Sequence, residues 1–406
     1  MVLSLSPAPV DLAQHRRQFP ALQRHRYFNY GGQGPMPEAA IAAMHDAQMH
    51  IQTTGPFSGA VNRGLQQDTA AMRTAWADLL AVAPESITLT EDVTVGCNIA
   101  LWGLDWQPGD RILLTDCEHP GIIATVQEIS RRFGVAIDPC PILATAQGGD
   151  PVAVIAAALH PRTRLLVASH ILWNTGQVLP LADLTQLCHD RRPDPVWVLS
   201  DAAQSVGMLP LNLTDLGIDF YAFTGHKWCC GPAGLGGLYV RPEVRDRLHP
   251  TFIGWRGITT DAAGNPTGWQ PNGSRYEVAT SDYTLIAGLR SALEIHRQWG
   301  TDAQRYDRIV ALSQRLWQRL NDQPQIRCIT ATPPKSGLVS FQILEAGEPS
   351  RDRHIHLVNT LEAEGVFLRT LLHPHCVRAC THYLTLEAEV DALADRILAT
   401  IAEPRS

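Results

Sequence analysis

Two apolar runs end in opposite charges, and this pairing constrains the fold more than any other feature of the sequence. The run 196–199 leads to Asp201, and the run 219–223 leads into a Thr-Gly-His-Lys turn that contains Lys227. Short apolar runs that end in polar turns are typical of buried parallel strands. In an open α/β sheet, the carboxyl ends of such strands form the ligand-binding edge. We therefore expect Asp201 and Lys227 to lie at the same edge of one sheet.

An acid and a lysine at one sheet edge are the two groups that a pyridoxal 5′-phosphate (PLP) site requires. The carboxylate can hold the ring nitrogen protonated, and the amine can form a Schiff base with the aldehyde. Taken alone, Asp201 would be interpreted as a buried acid that accepts backbone hydrogen bonds, and Lys227 as a surface cation. Their combination at two strand ends favours the cofactor site.

Size and charge exclude several classes of protein. The chain has 406 residues, 45% of them hydrophobic and 18% charged, which is enough for a large domain plus a smaller one. The net charge of −7 argues against a nucleic-acid or membrane partner, and no apolar run is long enough to span a bilayer. Residues 1–7 lack the features of a signal peptide. The nine cysteines are scattered without zinc-type pairing, so we expect reduced thiols, no metal and a cytoplasmic location.

The hydrophobic periodicity predicts an α/β fold. Apolar spacing indicates helices over 38–53, 59–83, 283–293, 301–320, 354–364 and 386–402. Strands are indicated at 86–90, 111–116, 165–170, 196–199, 219–223, 338–343 and 366–369. Their alternation between 86 and 240 predicts a large, doubly wound, mostly parallel sheet. We expect an N-terminal arm (1–30), a large domain (31–284) and a small α+β C-terminal domain (285–406), with 251–281 as a long irregular connection.

Further polar residues follow the predicted strands. Thr94 opens a helix, where a hydroxyl and backbone amides can hold a phosphate, although an ordinary N-cap is the alternative. His119 and Asn174 each come just after a strand, with a structural histidine and a plain turn as the alternatives. The glycines of 31–34 would let the backbone approach a ligand closely. The glycine-rich stretch 231–240 lacks the Gly-Lys-Ser/Thr ending of a nucleotide loop, which argues against nucleotide binding.

Together these segments resemble the class V aminotransferase group of fold-type I PLP-dependent enzymes, which includes the cysteine desulfurases. The resemblance extends from Tyr27 to about Leu393, and within the group it is greatest to the C–S lyases that act on cysteine and cystine. The segments that carry it are 27–34, 101–106, 115–123, 172–181 and 222–228.

The resemblance implies a role for each candidate residue. Lys227 would form the Schiff base and remove the Cα proton, Asp201 would pair with the ring nitrogen, and His119 would stack on the ring. The other cofactor contacts would come from Thr94, the Val95 amide, Asn174, Gln204, Thr224, His226 and Thr280 of a neighbouring subunit. The substrate would contact Asn29, Gly32, Trp255, Arg369 and Arg378, with Arg378 on the α-carboxylate. A homodimer with shared active sites is implied.

The segment from Arg369 to Arg378 bears on which reaction is catalysed. A desulfurase needs a nucleophilic cysteine on a mobile loop, and the family usually carries that loop between these two arginines. In this chain only residues 370–377 separate Arg369 from Arg378, so the longer loop is missing. Cys376 lies in this short segment, and we expect it to be structural. The resemblance therefore favours β-elimination of L-cystine, and more weakly of L-cysteine, to pyruvate, ammonia and a persulfide or sulfide. An acceptor protein and iron–sulfur cluster assembly are the implied destination of the sulfur. A cysteine desulfurase and a non-catalytic scaffold stay open as alternatives.

Overall fold

The computed structural model describes residues 11–191 and 194–402. The beginning of the expected arm, including residues 1–7, lies outside these ranges. The α-helices are α1 (Leu12–Arg16), α2 (Glu38–Thr54), α3 (Gly59–Leu80), α4 (Val93–Trp102), α5 (Pro120–Phe133), α6 (Pro151–Ala158), α7 (Leu181–His189), α8 (Leu213–Leu216), α9 (Thr284–Trp299), α10 (Asp302–Asn321), α11 (Arg351–Ala363) and α12 (Glu387–Ala402). Within the described ranges, no helix combines the length and the apolar character needed to cross a bilayer.

In the described part of the chain, the strands form one large sheet, one smaller sheet and two short pairs. They are β1 (Arg26–Tyr27), β2 (Ile87–Thr90), β3 (Arg111–Thr115), β4 (Ala136–Cys140), β5 (Thr163–Val167), β6 (Trp197–Asp201), β7 (Phe220–Thr224), β8 (Gly236–Val240), β9 (Ile258–Thr260), β10 (Pro266–Trp269), β11 (Ile326–Cys328), β12 (Leu338–Glu345), β13 (Glu348–Pro349), β14 (Val366–Phe367), β15 (Arg369–Leu372) and β16 (His375–Cys380).

The large sheet has the strand order β2-β8-β7-β6-β5-β3-β4. Strand β8 runs antiparallel to both of its neighbours, and the pairs from β7 to β4 are parallel. Buried side chains of α3, α7 and α9 pack on one face of the sheet, and those of α4 and α5 pack on the other. The predicted doubly wound, mostly parallel sheet is confirmed. Strands β6 and β7 are neighbours, with Asp201 paired to Ala222, so the two charged strand ends share one edge.

The C-terminal part is the predicted α+β unit. Strands β11-β12-β16-β15 form an antiparallel sheet, and buried residues of α10, α11 and α12 pack with it. The arm is attached to this unit, because β1 pairs with β14 and the Phe28 carbonyl accepts a hydrogen bond from the Cys380 amide. The proposed division at residue 284 falls at the start of α9 and stays a prediction.

Two local expectations were wrong. The expected single strand 366–369 is two strands, because β14 pairs with β1 whereas β15 pairs with β16. The expected irregular connection 251–281 contains the exposed hairpin β9–β10. Its turn is closed by Asp261, whose carboxylate accepts hydrogen bonds from the amides of Ala263 and Asn265. Asp and Asn favour such turns through side-chain bonds to the nearby backbone.

Candidate active site

A cavity of about 430 Å³ lies at the carboxyl edge of the large sheet, between the strand ends and the hairpin β15–β16. Parallel strands end together at this edge, which is why side chains distant in sequence converge there. The predicted residues that line it are Gly32, Thr94, His119, Asp201, Gln204, His226, Lys227, Arg369 and Arg378. The structure thus brings the expected acid, lysine, imidazole and two arginines into one space.

Asp201 and Lys227 influence each other across this cavity. Asp201 is buried, and its carboxylate accepts a hydrogen bond from the Ala203 amide at 2.9 Å. Burial raises the pKa of Asp201, and the nearby Lys227 charge acts in the opposite direction. Burial lowers the pKa of Lys227 to about 8; Arg378 and Arg369 act in the same direction, and Asp201 opposes them. A lysine with a pKa this low supplies a free amine near neutral pH, which suits a nucleophile or a general base.

His119 presents a neutral imidazole to the cavity. It is the N-cap of α5, and its Nδ1 accepts a hydrogen bond from the Gly121 amide at 3.3 Å. Burial lowers the pKa of His119, which favours the neutral ring. Because Nδ1 accepts a hydrogen bond, the neutral ring carries its proton on Nε2. The Trp173 ring meets it edge to face, with centroids 5.7 Å apart. This contact fixes the plane of the imidazole, as stacking on a flat cofactor would require.

The expected phosphate contacts are partly engaged within the protein. The N-cap of α4 is Asp92, whose carboxylate accepts from the Val95 amide at 2.9 Å, so the alternative interpretation of Thr94 as the N-cap was wrong. The Thr224 hydroxyl lies 2.6 Å from His226 Nδ1 and supports that ring from behind the cavity. Burial, followed by the Lys227 charge, lowers the pKa of His226 to about 4. Of the residues expected to hold a phosphate, Thr94 and His226 line the cavity, and their role stays a prediction.

Arg378 is a buried guanidinium with unused donors. Its Nη1 donates to the Trp173 carbonyl at 2.7 Å, whereas its Nε and Nη2 have no partner within residues 11–191 and 194–402. Unpaired buried donors are costly, and a planar carboxylate would satisfy them. A Cβ on Gly31 would lie 2.9 Å from this guanidinium, and one on Gly34 would lie 2.1 Å from the Lys227 carbonyl. The glycine-rich segment therefore permits close packing against the protein's own Arg378 and Lys227.

Other predicted residues lie behind the cavity wall or away from it. The Asn174 amide donates to the His373 carbonyl at 3.0 Å, and its Oδ1 is without a partner in the described chain. Asn29 packs against Gly32. Trp255 is 62% exposed. Thr280 is also exposed and lines a second cavity of about 320 Å³, together with Val95. The roles assigned to these residues stay predictions.

Glu118 is a buried residue of this region that the sequence reasoning missed. Its carboxylate accepts hydrogen bonds from the Thr115 hydroxyl at 2.6 Å and from the amide and hydroxyl of Ser169, each at 2.8 Å. Burial raises the pKa of Glu118 to about 7. These bonds tie the end of β3 to the end of β5 and so fix its neighbour His119. An acid directly before a histidine at a strand end was the available signal.

The comparisons with known proteins agree with this fold. The family model for aminotransferase class-V matches residues 26–392, and the chain belongs to that family. This confirms the resemblance seen in the sequence.

A solved structure of the cystine C–S lyase C-DES, in complex with its reaction product cysteine persulfide, is 48% identical in sequence. It superposes with a TM-score of 0.90 and covers 94% of this chain and 99% of that chain. A mutant of C-DES with glycine covalently linked to its PLP cofactor superposes with the same TM-score.

Curated relatives include cysteine desulfurases. A probable cysteine desulfurase of Xylella fastidiosa is 29% identical over 397 residues, covering 94% of this chain and 90% of the relative. One from Mycolicibacterium paratuberculosis is 30% identical over 320 residues, or 76% of this chain; the match spans only 43% of that longer protein.

The residues at the edge of the sheet fit PLP, the cofactor of this enzyme class. The cavity combines a lysine of lowered pKa, a buried carboxylate, a flat neutral imidazole and polar side chains suited to a phosphate. This set matches the chemistry of PLP, which needs an amine for its aldehyde and an anion for its ring nitrogen.

Lys227 of the cofactor-free protein should react with an amine-directed label with a pH midpoint of about 8, because only the free amine reacts and burial lowers its pKa. Lys335, the only other lysine in the sequence, serves as the internal control in the same digest. The measurement is the labelling rate of each lysine-containing peptide against pH, by mass spectrometry.

Asp201→Asn should move the Lys227 midpoint downward, because the carboxylate favours the charged amine. The matched control is Asp105→Asn, which removes an exposed carboxylate. A Lys227 midpoint equal to that of Lys335 would contradict this description of the site.

Proposed function

We propose that the chain is a PLP-dependent carbon–sulfur lyase. It cleaves L-cystine, and more weakly L-cysteine, by β-elimination to pyruvate, ammonia and a persulfide or sulfide. The observation that carries this proposal is the short hairpin β15–β16, which presents Arg369 and Arg378 to the cavity while Cys376 is buried. The 48% identity to C-DES over nearly the whole chain supports the same reaction.

The side chains of the cavity divide the binding of PLP among them. Lys227 would hold the cofactor covalently, Asp201 would pair with the ring nitrogen and His119 would stack on the ring. Thr94 and His226 would hold the phosphate, with Thr224 supporting His226. When bound, PLP would supply an electron sink for the bonds at Cα of the substrate.

Asn174 and Gln204 would contact the phenolic oxygen of the cofactor. Gln204 is held from two sides: its Oε1 accepts from Trp228 Nε1 at 2.8 Å, and its Nε2 donates to the Gly31 carbonyl at 3.0 Å. One N–H of its amide is left for the cofactor. The Asn174 amide nitrogen carries a second N–H besides the one that it donates to the His373 carbonyl, and this second N–H can donate to the same oxygen.

Lys227 and the two arginines then perform the reaction on the substrate. Arg378 holds the α-carboxylate and so orients the Cα–H bond toward Lys227, which accepts the proton as the general base. The pKa of about 8 suits Lys227 to accept the Cα proton near neutral pH. Elimination breaks the Cβ–S bond, and the electron pair of that bond leaves with the sulfur.

Cystine is preferred because of its leaving group and its second carboxylate. A persulfide is a weaker base than a sulfide and therefore departs more easily. Arg369 lines the cavity, and its side chain is exposed. In this position its guanidinium binds the distal carboxylate of cystine. Cysteine has neither feature.

The desulfurase alternative requires a reactive thiol at the cavity. Cys376 is fully buried, its Sγ lies 4.0 Å from the Asn174 carbonyl, and burial raises the pKa of its thiol to about 12. A buried, protonated thiol is a poor nucleophile. All nine cysteines are free and buried, which also favours a structural role for Cys376.

We further infer a homodimer in which Thr280 and Trp255 serve the neighbouring active site. Both residues are exposed, and the exposed apolar side chains of Phe252, Ile253 and Val278 accompany them. Apolar groups clustered on a surface favour a protein contact. We expect the enzyme to act in the cytoplasm and to pass its persulfide to an acceptor protein, with iron–sulfur cluster assembly as the destination.

The PLP-loaded protein should convert cystine into pyruvate and a persulfide, with no alanine formed. Cys376→Ser should leave the rate within about twofold of wild type, because the buried thiol takes no part in the elimination. The measurement is product analysis by mass spectrometry together with a persulfide assay. Alanine as the product, or loss of persulfide in Cys376→Ser, would support the desulfurase instead.

Arg369→Leu should raise the KM for cystine about tenfold or more, because a charge-assisted contact to the distal carboxylate is lost. The KM for cysteine should change less than about twofold, since cysteine has no second carboxylate. Steady-state kinetics with both substrates provide the measurement. The matched control is Arg327→Leu at an exposed arginine away from the cavity. Equal increases for the two substrates would contradict the role of Arg369.

A further inference from the structure

A buried chain of hydrogen bonds runs from the N-terminal arm to the backbone beside Lys227. Gln18 Nε2 lies 3.2 Å from His15 Nδ1, and His15 Nε2 lies 3.1 Å from the Tyr383 hydroxyl. That hydroxyl lies 2.6 Å from His296 Nδ1, and His296 Nε2 lies 2.9 Å from the Cys229 carbonyl. We call these five residues the buried hydrogen-bond chain. It connects α1, α9 and the segment after β16 with the turn that contains the lysine.

The direction of every bond in the buried hydrogen-bond chain follows from its two ends. The Cys229 carbonyl can only accept, so His296 donates from Nε2 and its Nδ1 accepts from Tyr383. The Tyr383 oxygen then accepts from His15 Nε2, which leaves His15 Nδ1 to accept from the Gln18 amide. The Gln18 amide nitrogen can only donate, and the Cys229 carbonyl can only accept. Both ends of the chain therefore require that each group donates toward Cys229. Every ring nitrogen in the chain is satisfied when both histidines are neutral.

Burial keeps these histidines neutral. His15 and Tyr383 are fully buried, and His296 is 5% exposed. Burial is the main cause that lowers the pKa of His15 to about 4 and that of His296 to about 3, with the Arg305 charge acting in the same direction. Protonation would replace an acceptor by a donor and break the chain, so the neutral state and the bond directions support each other.

Another buried histidine, His382, binds the carbonyl of Trp228, the residue before Cys229. His382 Nε2 lies 3.2 Å from the Trp228 carbonyl, and its Nδ1 accepts from the Leu384 amide at 3.4 Å. The ring stacks on Tyr30, with centroids 4.4 Å apart and an interplanar angle of 11°. The carbonyls of both residues that follow Lys227 are thus held by imidazoles from other parts of the chain.

We propose that His296 and His382 are positioning residues for Lys227, and that Tyr383, His15 and the N-terminal arm hold His296 in the tautomer this role requires. The lysine must reach the cofactor and then the Cα proton from one anchored backbone, and small displacements of a catalytic group are costly. The consequence for catalysis rests on the proposed function of Lys227. The anchoring itself is a property of the cofactor-free protein and can be measured separately.

Tyr383→Phe is the most direct test, because it removes only the hydroxyl and keeps the ring, which stacks on Trp299 at 4.8 Å. In the cofactor-free protein, backbone hydrogen exchange in peptide 226–231 should accelerate about tenfold, since a buried hydrogen-bond chain that anchors the turn is broken. In the PLP-loaded enzyme, kcat should fall about tenfold with KM changed less than twofold. Tyr306→Phe is the matched control, since it removes a hydroxyl that donates to the Lys335 carbonyl at 2.9 Å.

His296→Gln and His296→Leu form a second pair. The glutamine can still donate to the Cys229 carbonyl, so it should exchange more slowly in peptide 226–231 than the leucine variant. Exchange in Tyr383→Phe equal to that in Tyr306→Phe, or accelerated uniformly along the whole chain, would overturn the proposal. Local acceleration in 226–231 supports it even if the protein has no lyase activity, and that result would count against the proposed function alone.

Discussion

The opposed charges of Asp201 and Lys227 at the carboxyl edge of the sheet are the interaction on which the rest of the site depends. Burial lowers the pKa of Lys227 and raises that of Asp201, and the charge of each group opposes the shift of the other. The result is an acid and an amine that line the same cavity and whose pKa values are both shifted from their usual ranges. The neighbouring strands β6 and β7 bring them together.

The surrounding structure anchors these two groups from several directions. The Ala203 amide holds Asp201, and the glycine-rich segment packs against the Lys227 turn through the Gly34 amide, which donates to the His226 carbonyl at 2.8 Å. Glu118 ties the ends of β3 and β5 together beside His119. The cavity therefore lies at an edge of the large sheet that these hydrogen bonds hold in place. The hairpin β15–β16 lines the other side of the cavity with Arg369 and Arg378. In the proposed function, the sheet edge binds the cofactor and the hairpin selects the substrate.

Local patterns were enough to predict the sheet and much of the cavity. The runs that became β6 and β7 are apolar and end in polar turns, so both their strand character and the position of Asp201 and Lys227 could be predicted. Thr94 could be considered as an alternative N-cap of α4 because Asp92 and Thr94 both carry capping side chains, and only the geometry distinguishes them. The hairpin β9–β10 was missed because its strands are short and largely exposed, without apolar alternation.

Contacts between distant residues could not be predicted. His15 and Tyr383 are 368 positions apart, and nothing in either local sequence indicates that they meet beside the lysine turn. Trp255 and Thr280 came only from the resemblance, and both side chains are exposed on this chain. Periodicity finds elements, whereas such networks arise from how the elements pack.

The attachment of PLP to Lys227 is tested most directly by locating the cofactor chemically. PLP-loaded protein would be reduced with borohydride, digested and mapped by mass spectrometry; with only Lys227 and Lys335 in the sequence, the assignment is unambiguous. We expect one pyridoxyl group, on Lys227, and its loss in Lys227→Ala. Attachment at Lys335, or no attachment in protein that remains folded, would contradict it.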